Sequence, residues 1–236
     1  MEKIAFISDI HFDEQFPKDS GVNTRKNWER IIADLKSKNI TRIIFGGDIG
    51  APSSHSYLLQ TLKNFEVKFI LGNHDEFTHV SKFYNPDNNN GELYYFMEDK
   101  YNVYLFLDSS SNKISEKQLT WVREKMKAEK PFIIFIHHPV FEVKTAIDKI
   151  YPLLNRDALR AIFESSKQSI TLFCGHYHMN NELRLNNIRQ IITQASSYLI
   201  EKESSEITVN NSEFGYRIIE IEKSDIKTET VTFETM

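Results

Sequence analysis

The chain has 236 residues, 40% of them hydrophobic and 26% charged, enough apolar material for a full core in one soluble globular domain spanning 1–236. Its formal net charge of −4 gives no electrostatic footprint for wrapping duplex nucleic acid, and its single cysteine, Cys174, rules out an internal disulfide framework. The first apolar run, Ile4 to Ile7, is too short for a membrane span or a signal peptide, so the expected compartment is the cytoplasm.

Lys3 to Ser8 reads as a hydrophobic strand closing on Asp9-Ile10-His11. After a polar loop, Trp28, Ile31, Ile32 and Leu35 recur at helical spacing and predict an amphipathic helix over 24–37. A second strand, Arg42 to Phe45, runs into Gly46-Gly47-Asp48, and Leu58, Leu62 and Phe65 mark a helix that begins near the serines after Pro52. The apolar run Val67 to Leu71 is a third strand, stopped by Gly72 and followed by Asn73-His74-Asp75. Strand, helix, strand, helix, strand is the rhythm of a parallel sheet, in which ligands gather beyond the carboxyl ends of the strands. Asp9, Asp48 and Asn73 are therefore expected on one edge.

Asn85 to Gly91 is a loop by composition, and Tyr94 to Phe96 and Tyr101 to Leu107 read as strands, the second ending at Asp108-Ser109. Ser115 with Gln118 predicts a capping box for a helix lined by Leu119, Val122 and Met126. Phe132 to Ile136 is a buried strand that delivers His137-His138-Pro139. A helix is expected over 157–165, and the strand to Cys174 ends in Gly175-His176-Tyr177-His178. Segments 188–194, 214–221 and 227–233 complete the chain as strands with hairpin-like breaks.

Six of the eight histidines fall in four of these strand-end clusters. Each cluster alone has an ordinary reading as a turn that satisfies its own backbone. Together they supply two Asp, one Asn and at least four His with no thiolate, a donor set suited to Mn, Fe or Zn. These are too many ligands for one ion, and a pair of ions sharing a carboxylate accommodates them.

The series Asp9-x-His11, Gly47-Asp48, Gly72-Asn73-His74-Asp75, His137-His138-Pro139 and Gly175-His176-x-His178 resembles, in order and spacing, the motif set of the calcineurin-like metallophosphoesterases. The resemblance covers residues 3 to about 200. It implies an α/β (mixed α+β) four-layer sandwich, two mixed β-sheets flanked by helices. It also implies that Asp9, His11 and His178 hold one ion and Asn73, His137 and His176 the other, with Asp48 bridging. In such a centre a hydroxide attacks phosphorus, and a cationic His74 either hydrogen-bonds a phosphoryl oxygen or protonates the departing one. Asp75 would either fix the His74 ring or cap the next helix.

A second resemblance narrows the ester. The stretch from His137-His138-Pro139 through Asp148 to Asn155-Arg156-Asp157 is similar to the class III cyclic nucleotide phosphodiesterases, although Val140 replaces a second proline. It makes Asn155 and His138 candidates for substrate contact, with Asn155 also a plausible helix N-cap, and Ala195-Ser196-Ser197 a candidate lining of the site. The expected partner is a small phosphorylated substrate. Alternatives are a glycerophosphodiester or phospholipid head-group hydrolase, a nuclease using a patch of Lys113, Lys117, Lys125, Lys127 and Lys130, or a non-catalytic interaction module of the same fold. Tyr84, Tyr94, Tyr95 and Phe96 read as core and strand-pair residues, with base stacking the other option.

Overall fold

The β–α–β–α–β opening is realised in the computed structural model, which describes residues 2–87 and 90–235. Strand β1 (Glu2–Ile7) leads through the short helix α1 (Gln15–Asp19) to α2 (Thr24–Ser37) and β2 (Arg42–Phe45). Helix α3 (His55–Thr61) precedes β3 (Glu66–Phe69) and the single turn α4 (Phe77–Val80). The second half runs β4 (Tyr95–Glu98), β5 (Val103–Leu107), α5 (Glu116–Lys125), β6 (Phe132–Ile136), α6 (Ala146–Ile150), α7 (Arg156–Glu164) and β7 (Ile170–Cys174). It closes with β8 (Asn181–Leu185), β9 (Ile188–Ile192), β10 (Leu199–Ile200), β11 (Val209–Asn210) and the long hairpin β12 (Glu213–Glu222) and β13 (Asp225–Glu234).

The strands form two large mixed sheets, ordered β13-β12-β1-β2-β3 and β4-β5-β6-β7-β9-β8, with β10 and β11 a separate pair. In the first, β1, β2 and β3 run parallel, Ala5 beside Ile43 and Ile43 beside Val67. In the second, β5, β6, β7 and β9 are parallel. The strand carboxyl ends that carry the polar clusters are thereby gathered within each sheet.

The all-apolar run of β6 is explained by cover on both faces. Ile133 and Phe135 belong to the core between the sheets, whereas Phe132, Ile134 and Ile136 belong to the core beneath α5 and α7. Facing rings knit the sheets together: Phe6 of β1 lies 5.7 Å from Phe135 and 6.1 Å from Phe173 of β7. Each such ring contributes about 2 kcal/mol by leaving water. On the outer face of the first sheet, α2 buries Trp28, Ile31, Ile32 and Leu35, the stripe its spacing predicts, with Asn23 accepting from the Lys26 N–H as its cap.

Two local expectations change, and three short helices are added. Ser115 caps the Gln118 N–H, but Gln118 does not reach back to complete a capping box; its buried carboxamide holds both the N–H and the carbonyl of Asp108. Phe65 lies beyond the end of α3. Helices α1, α4 and α6, at four or five residues, are too short to show a period. Among the described residues no helix is long and apolar enough to cross a membrane.

Candidate active site

The polar clusters meet where the carboxyl ends of the two parallel strand sets face each other. Asp9, His11, Asp48, His176 and His178 all have left-handed backbones, with φ of 58, 53, 54, 67 and 49°. Non-glycine residues rarely adopt this region, and runs of such strain concentrate where a chain must aim functional groups. These strained turns aim both members of each pair, Asp9 with His11 and His176 with His178, inward.

Hydrogen bonds lock the strain in. The Asp9 N–H donates to the Gly47 carbonyl and the His11 N–H to that of Asp48, each at 3.0 Å. Between the sheets, the His176 N–H donates to both Asp9 carboxylate oxygens at 3.1 Å. Gly72 and Gly175 are the positions of closest approach. A Cβ on Gly72 would stand 2.1 Å from Asp48 Oδ1, and one on Gly175 would stand 2.5 Å from Asp9 Oδ2. Gly72→Ala is expected to displace the Asp48 carboxylate and lower bound metal below that of the wild type, measured by elemental analysis of the purified protein; an unchanged metal content would count against this packing argument.

The imidazoles are presented in one consistent way. His11 Nδ1 donates to Glu14 at 3.0 Å, His137 Nδ1 to the Gly46 carbonyl at 2.7 Å, and His178 Nδ1 to the Tyr198 carbonyl at 2.9 Å. With the proton so assigned, each Nε2 lone pair faces the centre, the arrangement in which a protein orients metal-ligating histidines. His176 is the mirror case, Nε2 donating to the Tyr151 carbonyl at 3.0 Å and leaving Nδ1 free. Ligand atoms of Asp9, His11 and His178 lie within 4.8 Å of one another, and so do those of Asp48, His137 and His176. Asp48 Oδ2 stands between the sets, 3.6 Å from His11 Nε2 and 3.3 Å from His137 Nε2.

A cation pair fits this geometry on two counts. His137 Nε2 and Asn73 Oδ1 are buried and make no hydrogen bond among the described residues, although such groups almost always find a partner. His11 Nε2 and His178 Nε2 face each other at 3.2 Å, two lone pairs that need a proton or a cation between them. The electrostatics agree. Burial alone would raise the Asp48 carboxyl, but His137, His11 and His74 hold it well below the usual range; His178 and His137 do the same for Asp9. Against its own burial, His137 is pushed up to about 10 by Asp48 and Asp9. Burial, reinforced by His137, takes His176 down to about 4. Protons and metal ions compete for these lone pairs, so metal affinity falls as pH falls.

The surroundings of His74 correct the sequence reading. Asp75 does not touch the ring. Its carboxylate accepts the N–H groups of Asp48, Ile49 and Gly72 at 2.7, 2.9 and 2.9 Å, tying two of the site's loops together. Burial and the Asp48 charge push it up to about 7. The carboxylate on the His74 ring is Glu14, whose Oε2 accepts from Nδ1 at 3.0 Å and raises the imidazole to about 9. The sequence reading did not single out Glu14; its one signal is its position three residues after His11.

The two substrate candidates spend their polar groups internally, although the His138 ring packs 4.1 Å from that of His176. His138 is fully buried, and both ring nitrogens are taken, Nδ1 by the Ser109 hydroxyl at 2.8 Å and Nε2 by Asn112 at 3.1 Å. Asn155 spends its carboxamide on the main chain of Ile114, accepting from its N–H at 2.9 Å and donating to its carbonyl at 2.8 Å, and makes no side-chain cap. Ser196 and Ser197 are buried braces, the Ser197 hydroxyl donating to the Asp9 carbonyl at 2.7 Å. Tyr177 is buried in the core and donates its hydroxyl to Asp148. Tyr84 and Tyr95 are hydrogen-bonded to each other at 3.0 Å and form no part of the site. Lys127 and Lys130 are paired with Glu124 and Glu98, and Lys125 lies over Phe96.

A cavity of about 360 Å³ opens over the cluster. Its polar lining is His11, Asp48, Asn73, His74, His176 and His178. Its apolar lining is drawn from Phe16, Ile147, Tyr151, Tyr198 and the β10–β11 segment with its connection, with the Tyr198 ring 4.5 Å from that of His178. No periodicity or motif marks the apolar lining, because its residues come from three separate parts of the chain.

The model of the calcineurin-like phosphoesterase family matches residues 2–180. The chain belongs to that family, and is a metal-dependent hydrolase of phosphoesters. Over 227 residues it is 25% identical to a Fibrobacter succinogenes protein named "Probable cyclic nucleotide phosphodiesterase", covering 92% of this chain and 89% of that one. It is 24% identical to an Enterobacter lignolyticus glycerophosphodiester phosphodiesterase, over 74% of this chain and 70% of the other. A dimetal phosphatase of Danio rerio shares the fold with a TM-score of 0.65 at 12% identity, covering 99% of this chain and 98% of that one.

Proposed function

We propose that the protein hydrolyses a phosphodiester of a nucleotide, with a 3′,5′-cyclic nucleotide as its substrate. Asp9, His11 and His178 would hold one ion and Asn73, His137 and His176 a second, with Asp48 shared between them; Mn, Fe and Zn, or a mixed pair, suit the donor set. The observation that carries the reading is the mixed lining of the cavity, metal-ligating groups together with apolar and aromatic side chains. A phosphate needs the first kind of group, and a nucleobase suits the second.

When bound, the ion pair polarises the phosphoryl oxygens and brings the pKa of a water near neutrality. The remaining work belongs to side chains. His74 lines the cavity with Nδ1 already engaged, so Nε2–H is its free donor. It hydrogen-bonds the phosphoryl group and gives its proton to the departing oxygen. Water oxygen becomes bonded to phosphorus, the phosphorus–O3′ bond breaks, and O3′ leaves as a hydroxyl.

The Enterobacter lignolyticus relative supports a second reading, a glycerophosphodiester hydrolase. A substrate panel on protein of known metal content separates the two. The first reading predicts that cyclic nucleotides have a higher kcat/KM than glycerophosphodiesters; the reverse order would displace it. Phe16, 53% exposed at the cavity wall and 5.4 Å from the Tyr198 ring, is the side chain best placed to stack on a base. Phe16→Ala is expected to raise KM for a cyclic nucleotide about 5- to 30-fold, the loss of one stacking contact. KM for bis(p-nitrophenyl) phosphate serves as the control and should change far less; a uniform rise would leave the aromatic lining without a base to bind.

A further inference from the structure

Glu14 occupies a position between two functional groups. Its Oε2 accepts from His11 Nδ1 and from His74 Nδ1, each at 3.0 Å, so one carboxylate oxygen joins a metal ligand to the proton donor. The two rings meet edge to face with centroids 4.8 Å apart. No other carboxylate among the described residues hydrogen-bonds the His74 ring. Asp75 is committed to three main-chain N–H groups, and Asp48 Oδ1 takes only the main-chain N–H of His74, at 2.9 Å.

The turn that carries Glu14 is built rather than loose. The Glu14 N–H donates back to the His11 carbonyl at 3.3 Å. Phe12 is bridged in parallel to Gly50, its N–H on the Ile49 carbonyl at 3.0 Å and its own carbonyl taking the Ala51 N–H at 2.8 Å. Asp13 is gripped by Arg25 Nε at 3.0 Å from helix α2. Glu14 is thus held from both sides of the turn, with 19% of its side chain exposed.

We propose that Glu14 is a positioning residue for leaving-group protonation: it fixes the His74 ring so that Nε2–H faces the departing oxygen, and it ties that orientation to His11 of the metal centre. The proposal rests on the phosphodiesterase reading. In the step it serves, the leaving oxygen takes the proton of His74 Nε2 as its bond to phosphorus breaks. The attacking water leaves its oxygen on phosphorus and loses a proton to solvent, from which His74 is recharged.

The dependence on the leaving group tests this, because a strongly basic alkoxide needs the proton and a weakly basic phenolate does not. Glu14→Ala, Glu14→Gln, His74→Ala and the Glu14→Ala/His74→Ala double variant are compared on a cyclic nucleotide and on bis(p-nitrophenyl) phosphate, with bound metal measured for each. Glu14→Ala is expected to lower kcat on the cyclic nucleotide about 10- to 100-fold, the usual range for a residue that orients a functional histidine. The loss on the p-nitrophenyl ester should be about tenfold smaller, with both ions retained. Glu14→Gln, whose amide oxygen still accepts one ring N–H, should fall between wild type and alanine, and it carries the comparison if the alanine variant folds poorly. The double variant should be no slower than His74→Ala, since the two residues act as one unit. Equal losses on both esters, additive losses in the double variant, or loss of an ion on changing Glu14 would overturn the proposal. A wild-type chain that binds two ions and turns over neither ester would instead overturn the phosphodiesterase reading on which it stands.

Discussion

Asp48→Asn is expected to lower turnover by about 10³-fold or more and to leave the chain unable to hold two ions together. The charge of Asp48 Oδ2 lies 3.6 Å from His11 Nε2 on one side and 3.3 Å from His137 Nε2 on the other. With Nδ1 donating elsewhere, Nε2 is the atom that each of these histidines offers to an ion beside Asp48. An amide keeps the shape of the carboxylate and removes its charge, so two cations placed side by side lose the anion that screens them from each other. Losing the stabilisation that a metal gives to transition-state charge, about 4 kcal/mol, corresponds to that factor in rate. Metal stoichiometry and turnover are measured on the same preparation. An Asp48→Asn protein that still carried two ions per chain would contradict the bridging role.

His74→Ala tests a different part of the site. The ring is half exposed at the cavity, makes one side-chain hydrogen bond, to Glu14, and belongs to neither set that flanks Asp48. Its removal is therefore expected to cost about 10²- to 10⁴-fold in kcat, the usual contribution of a positioned acid, with metal content near that of the wild type. Loss of an ion in this variant would make His74 a ligand and reassign the proton donor. Taken together, the two variants separate holding metal from moving a proton.

Much of the site was legible because strand runs and polar ends are both visible in a sequence. Phe132 to Ile136 shows its burial in its composition, and the polar residues that follow such runs must sit at a sheet edge. Asp9, His11, Asp48, Asn73, His137, His176 and His178 were found in this way, and the structure brings all of them to one place. The assignment of strands to two sheets was not legible from periodicity, since alternation says that both faces of β6 are covered and not by what; the family resemblance implied two mixed sheets but not which strands form each.

The misreadings concern polar groups that the protein spends on its own interior. Asp75 was expected on the His74 ring or as the cap of the next helix, and the resemblance made His138 a candidate for substrate contact. Instead Asp75 accepts from the main chain of Asp48 and Ile49, and His138, its ring 5.1 Å from that of His137, is held by Ser109 and Asn112. Glu14 was missed for a different reason. It returns to His11 through a turn containing Asp13 at φ 58°, a geometry with no sequence signature in a polar loop. The apolar lining was invisible because Phe16, Ile147, Tyr151 and Tyr198 come together only in the folded chain.

The most direct measurement adds Mn²⁺ stepwise to metal-stripped protein and follows cyclic nucleotide turnover against ions bound per chain. The two-ion account predicts little turnover at one equivalent and a rise that saturates at two. Saturation at a single bound ion, or a chain carrying two ions that hydrolyses no phosphodiester, would contradict it.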